Sequence, residues 1–486
     1  MSAEIRNLEP KSLWNHFSNL NEVPRPSKKE ERVIQFMVNF GEKLGLKTVV
    51  DGVGNVIISK PASIGYENRK TIVLQSHLDM VHQKNSDTIF DFNTEGIKMF
   101  IDKDWVTAEG TTLGADNGLG VATIMAILSS SDIDHPPIEA LFTIDEETGM
   151  TGAMGLEGGL LEGEILLNLD TEEDDEIDVG CAGGMDITAT KSYQEEKAPE
   201  NTIALRISVT GLQGGHSGMD IHKGFGNANK IMNRILYRGF KNYGLRLSKL
   251  EGGSLRNVIP RESFSNVVLN KNLKDPFIKE MKTLKKLINE EFKSVEPNLS
   301  IDFHSIENPK TVLPLEVQEK LIKSVYSALN GVYKMSNDIP DLVETSNNIA
   351  RVVVKNNEIT IACLTRSSSE SSKIDLANSL RSCFELSGFS VEFSGSYPGW
   401  QPNMNSEILK VASSLYKKLF REEPSIVACH AGLECGILGQ NYPKMDMISF
   451  GPTIKGAHSP DEKVSISSVR KFWSFLLEIL KNTPHK

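Results

Sequence analysis

Cysteine is scarce in this chain of 486 residues, which contains only five, at Cys181, Cys363, Cys383, Cys429 and Cys435. No two of them form a CxxC pair, and they are too few and too dispersed for a disulfide framework. We therefore expect reduced cysteines with structural roles.

Long apolar runs and blocks of like charge are also missing. The longest apolar candidate, Val121–Leu128, has eight residues, whereas a membrane helix needs about 18. The first residues carry mixed charge and no apolar segment, so no secretory signal is expected. The net charge is −11 and no Lys/Arg block occurs, which argues against nucleic acid and anionic membranes as partners. These absences predict a cytoplasmic protein that acts on a small molecule or a peptide.

What remains is a globular composition, with 39% hydrophobic and 24% charged residues, long enough for two or three domains. Strand and helix patterns alternate up to about residue 185 and again from residue 399, which is typical of an α/β fold. One helix is predicted to follow a capping box, Ser27-Lys-Lys-Glu30, and to end near Gly45. We predict a catalytic α/β domain with a mixed sheet, formed by residues 1–185 and 399–486.

Residues 186–398 differ from the rest, with paired strands and long polar helices. A strand pair within 255–269, a helix at 276–292 and a strand at 299–303 precede a similar series at 349–364, 373–386 and 390–393. This spacing predicts an inserted α+β lid domain built from two related halves.

Three apolar segments of the catalytic domain end in residue types that bind metals. They are Val73–Asp79 with His77, Leu141–Glu147 with its two glutamates, and Leu166–Asp170 with Asp170. In open α/β sheets, ligands bind beyond the carboxyl ends of the strands, so these side chains are expected to converge. Two loops add Asp116, in a glycine-rich segment before a helix, and His458.

Mixed histidine and carboxylate ligands suit Zn²⁺ and other borderline divalent ions, so Mn²⁺ or Co²⁺ are open substitutes. If one carboxylate bridges, five ligands suffice for two ions. The predicted assignment is Asp116 as the bridge, His77 and Asp170 on one ion, and Glu147 and His458 on the other. A water shared by such ions becomes available as hydroxide near neutral pH and attacks a carbonyl.

Glu146 and Glu147 are neighbours at a strand end, where successive side chains point in opposite directions. We therefore assign Glu147 to the metal. Glu146 is assigned to the bridging water as general base, and then as proton donor to the leaving amine. Asp79 follows His77 by two residues and is predicted to accept its ring N–H and fix its tautomer.

These residues stand in longer strings that resemble one known family along nearly the whole chain. The strings include His77-Leu-Asp-Met-Val, Gly110-Thr-Thr-Leu-Gly-Ala-Asp-Asn-Gly, Pro398-Gly-Trp-Gln-Pro, His430-Ala-Gly-Leu-Glu-Cys-Gly and His458-Ser-Pro-Asp-Glu. On them the chain is similar to the aminoacyl-histidine dipeptidases of the PepD type, within the larger group of dizinc exopeptidases and deacylases. The resemblance implies a dizinc catalytic domain with an inserted lid. It also implies hydrolysis of unblocked dipeptides, notably Xaa-His substrates such as the β-alanyl-histidine type.

The resemblance implies roles for lid residues as well. His216, in Gly214-Gly-His-Ser-Gly, matches a histidine that stabilises the oxyanion at the scissile carbonyl. Asn257 and Arg366 match positions that hold the substrate carboxylate or backbone, and a guanidinium can bind a carboxylate through two hydrogen bonds. For both, a structural role at a strand end is an alternative. His430 lies in a family-specific loop, where substrate contact and packing are the alternatives.

Other functions share this core. An N-acyl amino-acid deacylase or a carboxypeptidase would need no recognition of a free amine, and a silent binding protein would not need Asp79 and Glu146. Many relatives form homodimers through the lid, so a homodimer and a self-sufficient single chain are both open.

Overall fold

The structure is a computed structural model that describes residues 2–486. It contains two compact units. Unit 1 consists of Met1–Gly180, Trp400–Ala428 and Leu433–Lys486, and unit 2 consists of Cys181–Gly399 and Cys429–Gly432. Both units combine helices with sheets, which confirms the predicted mixed α/β class. The assignment of the units as catalytic domain and lid stays a prediction.

The main sheet of unit 1 has eight strands. In spatial order they are Lys47–Val50, Val56–Lys60, Ile138–Thr143, Ile72–His77, Ile165–Asn168, Asp446–Ser449, Glu176–Cys181 and Ser425–Cys429. The third to the sixth of these run parallel to one another. A four-stranded sheet is formed by Ile454–Lys455, Lys463–Ser465, Trp105–Ala108 and Met99–Asp102.

The helices of unit 1 alternate with these strands along the chain. They are Ser2–Ile5, Lys11–Asn21, Glu31–Lys43, Ala115–Ser129, Thr151–Gly155, Glu407–Phe420, Glu434–Asn441 and Ile466–Lys481. Among residues 2–486, no helix has the length and apolar character required to cross a membrane. The described cysteines form no disulfide.

The central strands of unit 1 are fully buried. Ile72–His77 and Ile165–Asn168 are buried at every position, as expected for parallel strands that are covered on both faces. The helix Ala115–Ser129 approaches the sheet closely at Gly120. A Cβ atom at that residue would lie 2.4 Å from Ser76 Oγ, so glycine permits the contact that places the start of this helix beside the strand ends.

The predicted capping box is wrong, although the helix Glu31–Lys43 forms where its apolar periodicity predicts it. Ser27 donates a hydrogen bond to Asp79 Oδ2 at 2.8 Å instead of to the helix. Glu30 stands at the N-cap without a side-chain cap, and its carboxylate accepts the Lys28 N–H. A tertiary partner therefore outcompetes the local one for this serine.

Unit 2 contains one nine-stranded sheet with helices and short strands. Its strands are Gly183–Ser192, Thr202–Thr210, Arg246–Gly252, Ser263–Asn270, Ser300–Ile306, Gly331–Met335, Val343–Lys355, Glu358–Ser367 and Ser390–Tyr397. Glu196–Lys197 and Thr311–Val312 pair separately. The α-helices are Ala228–Tyr243, Lys274–Phe292, Leu315–Ser327 and Glu370–Leu386, with 3-10 turns at Ile221–Lys223 and Lys271–Leu273.

The strand order of unit 2 repeats outward from its middle. Arg246–Gly252 pairs with Val343–Lys355 there. Outward from each of these two strands, the order continues with the next strand of the chain, then with an earlier strand, and last with a strand that follows a helix. The two halves of this sheet therefore have the same topology, which is what the prediction of two related halves requires.

One predicted strand pair in unit 2 is wrong. Ser263–Asn270 pairs with Arg246–Gly252, not with a strand inside 255–262. Pro260 has no N–H to donate to a ladder, and Val258 forms an isolated bridge with His216. The apolar residues between 255 and 260 therefore belong to a loop.

Candidate metal and catalytic site

The predicted ligands of unit 1 lie at the carboxyl ends of its parallel strands. His77 is the last residue of Ile72–His77, and Asp170 follows Ile165–Asn168 by two residues. Gln75 and Asn168 are partners in the register of these two strands. Because side chains two residues apart point the same way along extended chain, His77 and Asp170 emerge side by side.

The first cluster forms around His77, which is 1% exposed. Its Nε2 lies 3.1 Å from Asp116 Oδ1 and 3.4 Å from Asp170 Oδ1. Its Nδ1 lies 3.3 Å from Asp79 Oδ1 and 3.1 Å from the Asp79 carbonyl oxygen. One ring nitrogen thus faces candidate ligands while the other is held by an acceptor, which is the usual arrangement of a metal-binding histidine.

The second cluster forms around His458. Its Nε2 lies 3.1 Å from Asp116 Oδ2 and 3.0 Å from Glu147 Oε2. Asp116 therefore offers one carboxylate oxygen to each cluster. Atoms of His77, Asp116 and Asp170 lie within 4.8 Å of one another, and so do atoms of Asp116, Glu147 and His458. The five predicted ligands form two groups that share one aspartate.

The electrostatics of both clusters favour a cation. Burial lowers the pKa of His77, but the surrounding carboxylates outweigh it and hold this pKa well above its ordinary value. Hydrogen bonds to Asp116 and Glu147 raise the pKa of His458 to about 11. Glu147 Oε1 is buried without a hydrogen-bond partner among the described residues. Imidazole and carboxylate donors in this setting fit divalent ions such as Zn²⁺.

Asp79 holds the strand end and the glutamate loop together. Its Oδ1 accepts the backbone N–H of Glu146 at 3.0 Å, and its Oδ2 accepts that of Glu147 at 3.2 Å. Burial raises the pKa of Glu146 well above its ordinary value, and the charges of Asp170 and Glu434 add to this rise. Glu146 is thus a half-buried carboxyl that holds a proton more readily than a solvated one.

Glu434 is a fully buried residue of unit 1. Its Oε2 accepts hydrogen bonds from Gln75 Nε2 and Thr143 Oγ1, both at 2.6 Å, while its Oε1 has no partner among the described residues. Gln75 in turn accepts from the Asn168 side chain. Burial raises the pKa of Glu434 to about 7. The sequence hints at this buried network only through two polar residues inside apolar strands, Gln75 and Asn168.

Unit 2 brings His216 and Arg366 together. Arg366 Nη2 lies 3.4 Å from His216 Nε2, and Nη1 donates to Tyr397 Oη at 2.8 Å. His216 Nδ1 accepts the backbone N–H groups of Gly218 and Met219 at 3.2 and 3.1 Å. Because that nitrogen is an acceptor, the ring proton of a neutral His216 sits on Nε2.

The other two predicted substrate contacts lie in the same part of unit 2. Asn257 is exposed, and its carbonyl oxygen accepts the Ser217 N–H at 2.8 Å. His430 is buried, and its Nε2 lies 2.8 Å from Ser346 Oγ. Burial lowers the pKa of His430 to about 3, and the charge of Arg366 contributes. Packing of His430 within this unit is therefore visible in the structure, and a substrate contact stays a prediction.

The family assignment follows from a comparison with protein-family models. Residues 73–482, which include all five candidate ligands, match the model of peptidase family M20/M25/M40. The chain belongs to this family. The resemblance seen in the sequence is thereby confirmed at the level of the family, and the chain is a peptidase of the M20/M25/M40 type.

Comparisons with individual relatives support this family assignment. The chain is 42% identical over 484 residues to the cytosol non-specific dipeptidase of Escherichia coli K12, with 100% of both chains covered. The crystal structure of an aminoacylhistidine dipeptidase from Vibrio alginolyticus superposes with a TM-score of 0.93 at 44% identity, covering 99% of this chain and 98% of that one. The aminopeptidase PepT of Bacillus cereus shares the fold at 16% identity, with a TM-score of 0.58 and 98% of each chain covered.

Proposed function

We propose that this chain hydrolyses unblocked dipeptides, including those with a carboxyl-terminal histidine, as a metal-dependent dipeptidase. The observation that carries the proposal is the pair of histidine and carboxylate clusters that share Asp116. The names of the Escherichia coli and Vibrio alginolyticus relatives support the substrate class. The E. coli name also supports the predicted cytoplasmic location.

Two divalent cations, proposed to be Zn²⁺, would be held by residues of unit 1. Asp116 would bridge, with His77 and Asp170 on one side and Glu147 and His458 on the other. When bound, such a pair polarises a peptide carbonyl and lowers the pKa of a water from about 15.7 toward about 7. Mn²⁺ and Co²⁺ accept the same donor types.

Glu146 is the proposed general base. It is proposed to take a proton from the attacking water and to pass that proton to the leaving amine, and its raised pKa favours the first of these transfers. Asp79 supports this role by fixing the backbone N–H groups of Glu146 and Glu147.

Residues of unit 2 are proposed to contact the substrate. Burial and the charge of Arg366 lower the pKa of His216 to about 4, so the ring is neutral at pH 7 and presents its Nε2–H as a donor. A fixed neutral donor of this kind suits the oxyanion that develops at the scissile carbonyl. Arg366 is proposed to bind the substrate carboxylate, with Asn257 and His430 as further contacts.

A metal-depletion experiment tests this function. The protein is stripped with a chelator and assayed after addition of Zn²⁺, Mn²⁺ or Co²⁺, on Xaa-His and other dipeptides and on their N-acetylated forms. We expect loss of activity on stripping, recovery on addition, and turnover of free dipeptides only. Full activity after exhaustive chelation would contradict the metal site, and preferred turnover of N-acetylated substrates would favour the deacylase alternative.

A further inference from the structure

A carboxylate outside the ligand set holds the loop that carries Asp116. Glu462 is 2% exposed, and its carboxylate accepts four consecutive backbone N–H groups. Oε2 accepts those of Leu113 and Gly114 at 2.7 and 3.0 Å, and Oε1 accepts those of Ala115 and Asp116 at 2.7 and 3.3 Å. All four donors are therefore directed at one side chain.

Arg25 binds the same loop through its carbonyl groups. Its Nη2 donates to the Gly114 oxygen at 2.6 Å, and its Nη1 donates to the oxygens of Leu78 and Asp79 at 3.1 and 3.2 Å. The guanidinium is 1% exposed, and burial lowers its pKa to about 10, so it stays charged at neutral pH. Arg25 thus joins the Asp116 loop to the strand end that follows His77.

These contacts connect three separate parts of the chain. Glu462 follows His458 by four residues, so its hydrogen bonds tie the His458 loop to the Asp116 loop, while Arg25 ties the Asp116 loop to the His77 strand. The contacts are charge-assisted hydrogen bonds to backbone atoms, which are stronger than neutral ones. They fix main-chain positions in segments that carry a ligand, and main-chain position sets the distance between ligand atoms.

We propose that Glu462, together with Arg25, is a positioning residue that sets the spacing of His77, Asp116 and His458 and so the affinity for divalent metal. This inference rests on the proposed function, because it assigns Glu462 a role only if the five ligands bind a metal. Glu462 itself points its oxygens at the backbone and is not a ligand in this assignment.

The test uses Glu462→Gln in the full chain. The amide keeps the size of the carboxylate but directs an NH₂ group at backbone N–H donors and removes the charge. The dissociation constant for Zn²⁺ is measured by competition with a chelating dye, beside the thermal midpoint with and without Zn²⁺. We expect binding to weaken about 10- to 100-fold, with a smaller Zn²⁺-induced rise in the midpoint.

A matched control is available in unit 2. Glu296 is 3% exposed and accepts the backbone N–H groups of Gln213 and Gly226 at 2.7 and 2.8 Å. Glu296→Gln should lower the midpoint of the metal-free protein while leaving Zn²⁺ affinity at the wild-type value. If Glu462→Gln does not fold, Arg25→Lys replaces it, since lysine keeps the charge but loses the fork that reaches several carbonyls.

The outcomes separate this inference from the proposed function. Wild-type affinity in Glu462→Gln, or in Arg25→Lys where that variant replaces it, would overturn the positioning role while leaving the metal site intact. An equal loss of affinity in Glu296→Gln would also overturn it, because the effect would then be one of general stability. A wild-type protein that binds no Zn²⁺ would overturn the proposed function and this inference together.

Discussion

Histidines of the two units meet opposite electrostatic surroundings. In unit 1, carboxylates face His77 and His458 and raise the pKa of both rings. In unit 2, burial and Arg366 lower the pKa of His216 and His430. Imidazole side chains therefore stand in a negative environment, which favours a bound cation, in unit 1. In unit 2 they are neutral at pH 7 and can act as hydrogen-bond donors or packed residues. The difference supports the proposal that residues of unit 1 bind metal and that Arg366 of unit 2 binds the substrate carboxylate.

The largest expected effect tests the chemistry of unit 1. Replacement Glu146→Gln removes the proposed base without removing a proposed ligand, so kcat should fall about 10²- to 10⁴-fold while metal content stays unchanged. Steady-state kinetics and metal analysis of the same sample measure both quantities. Glu139→Gln is the control, because burial also raises the pKa of this glutamate, which lies in the strand Ile138–Thr143 that precedes Glu146. An unchanged rate in Glu146→Gln would remove this residue from the mechanism.

The second prediction tests anion recognition in unit 2. Arg366→Ala should reduce kcat/KM for free dipeptides roughly tenfold to a hundredfold, which is the worth of a charge-assisted hydrogen bond. For the corresponding dipeptide amide, which lacks the carboxylate, the same substitution should reduce kcat/KM far less. Arg256→Lys is the control, since Arg256 pairs with Asp186 in the same unit. An equal loss for the acid and the amide would mean that Arg366 acts only through its contacts to Tyr397 and His216.

The third prediction concerns the pH dependence of stability. The pKa of His430 is about 3 in the folded protein and about 6.5 in an unfolded chain. Between these values the unfolded state binds more protons, so the histidine makes stability fall as the pH decreases from about 6.5 toward 3. His430→Asn should reduce the slope of the free energy of unfolding against pH in this window, by at most about 1.4 kcal/mol per pH unit, as measured by urea denaturation at each pH. Equal slopes in His430→Asn and wild type would contradict the lowered pKa.

The convergence of the strand-end candidate ligands could be predicted from the sequence because a local rule places them. His77 and Asp170 stand directly at or after apolar strands, and parallel strands bring such positions to one edge. The mixed α/β class follows from the same alternation. The failed capping box shows the limit of local rules, since Ser27 has a partner at Asp79 that lies 52 positions away.

The supporting residues could not be predicted because their contacts are distant in sequence. Glu434 meets Gln75 across 359 positions, and Glu462 meets the Leu113 N–H across 349. No periodicity or spacing indicates which glutamate enters a buried network, because the decision depends on packing of the complete unit.

The smallest expected effect tests whether the electrostatics of unit 1 extend beyond its ligands. Glu434 is fully buried, and its charge raises the pKa of Glu146. Glu434→Gln can still accept the hydrogen bonds of Gln75 and Thr143 through its amide oxygen, but it removes the charge. The pKa of Glu146 should then fall, and the base stays deprotonated to lower pH. The acid limb of the kcat/KM profile should therefore move down by a fraction of a pH unit, whereas an upward move or a collapse of kcat would show that Glu434 acts through structure and not through its charge.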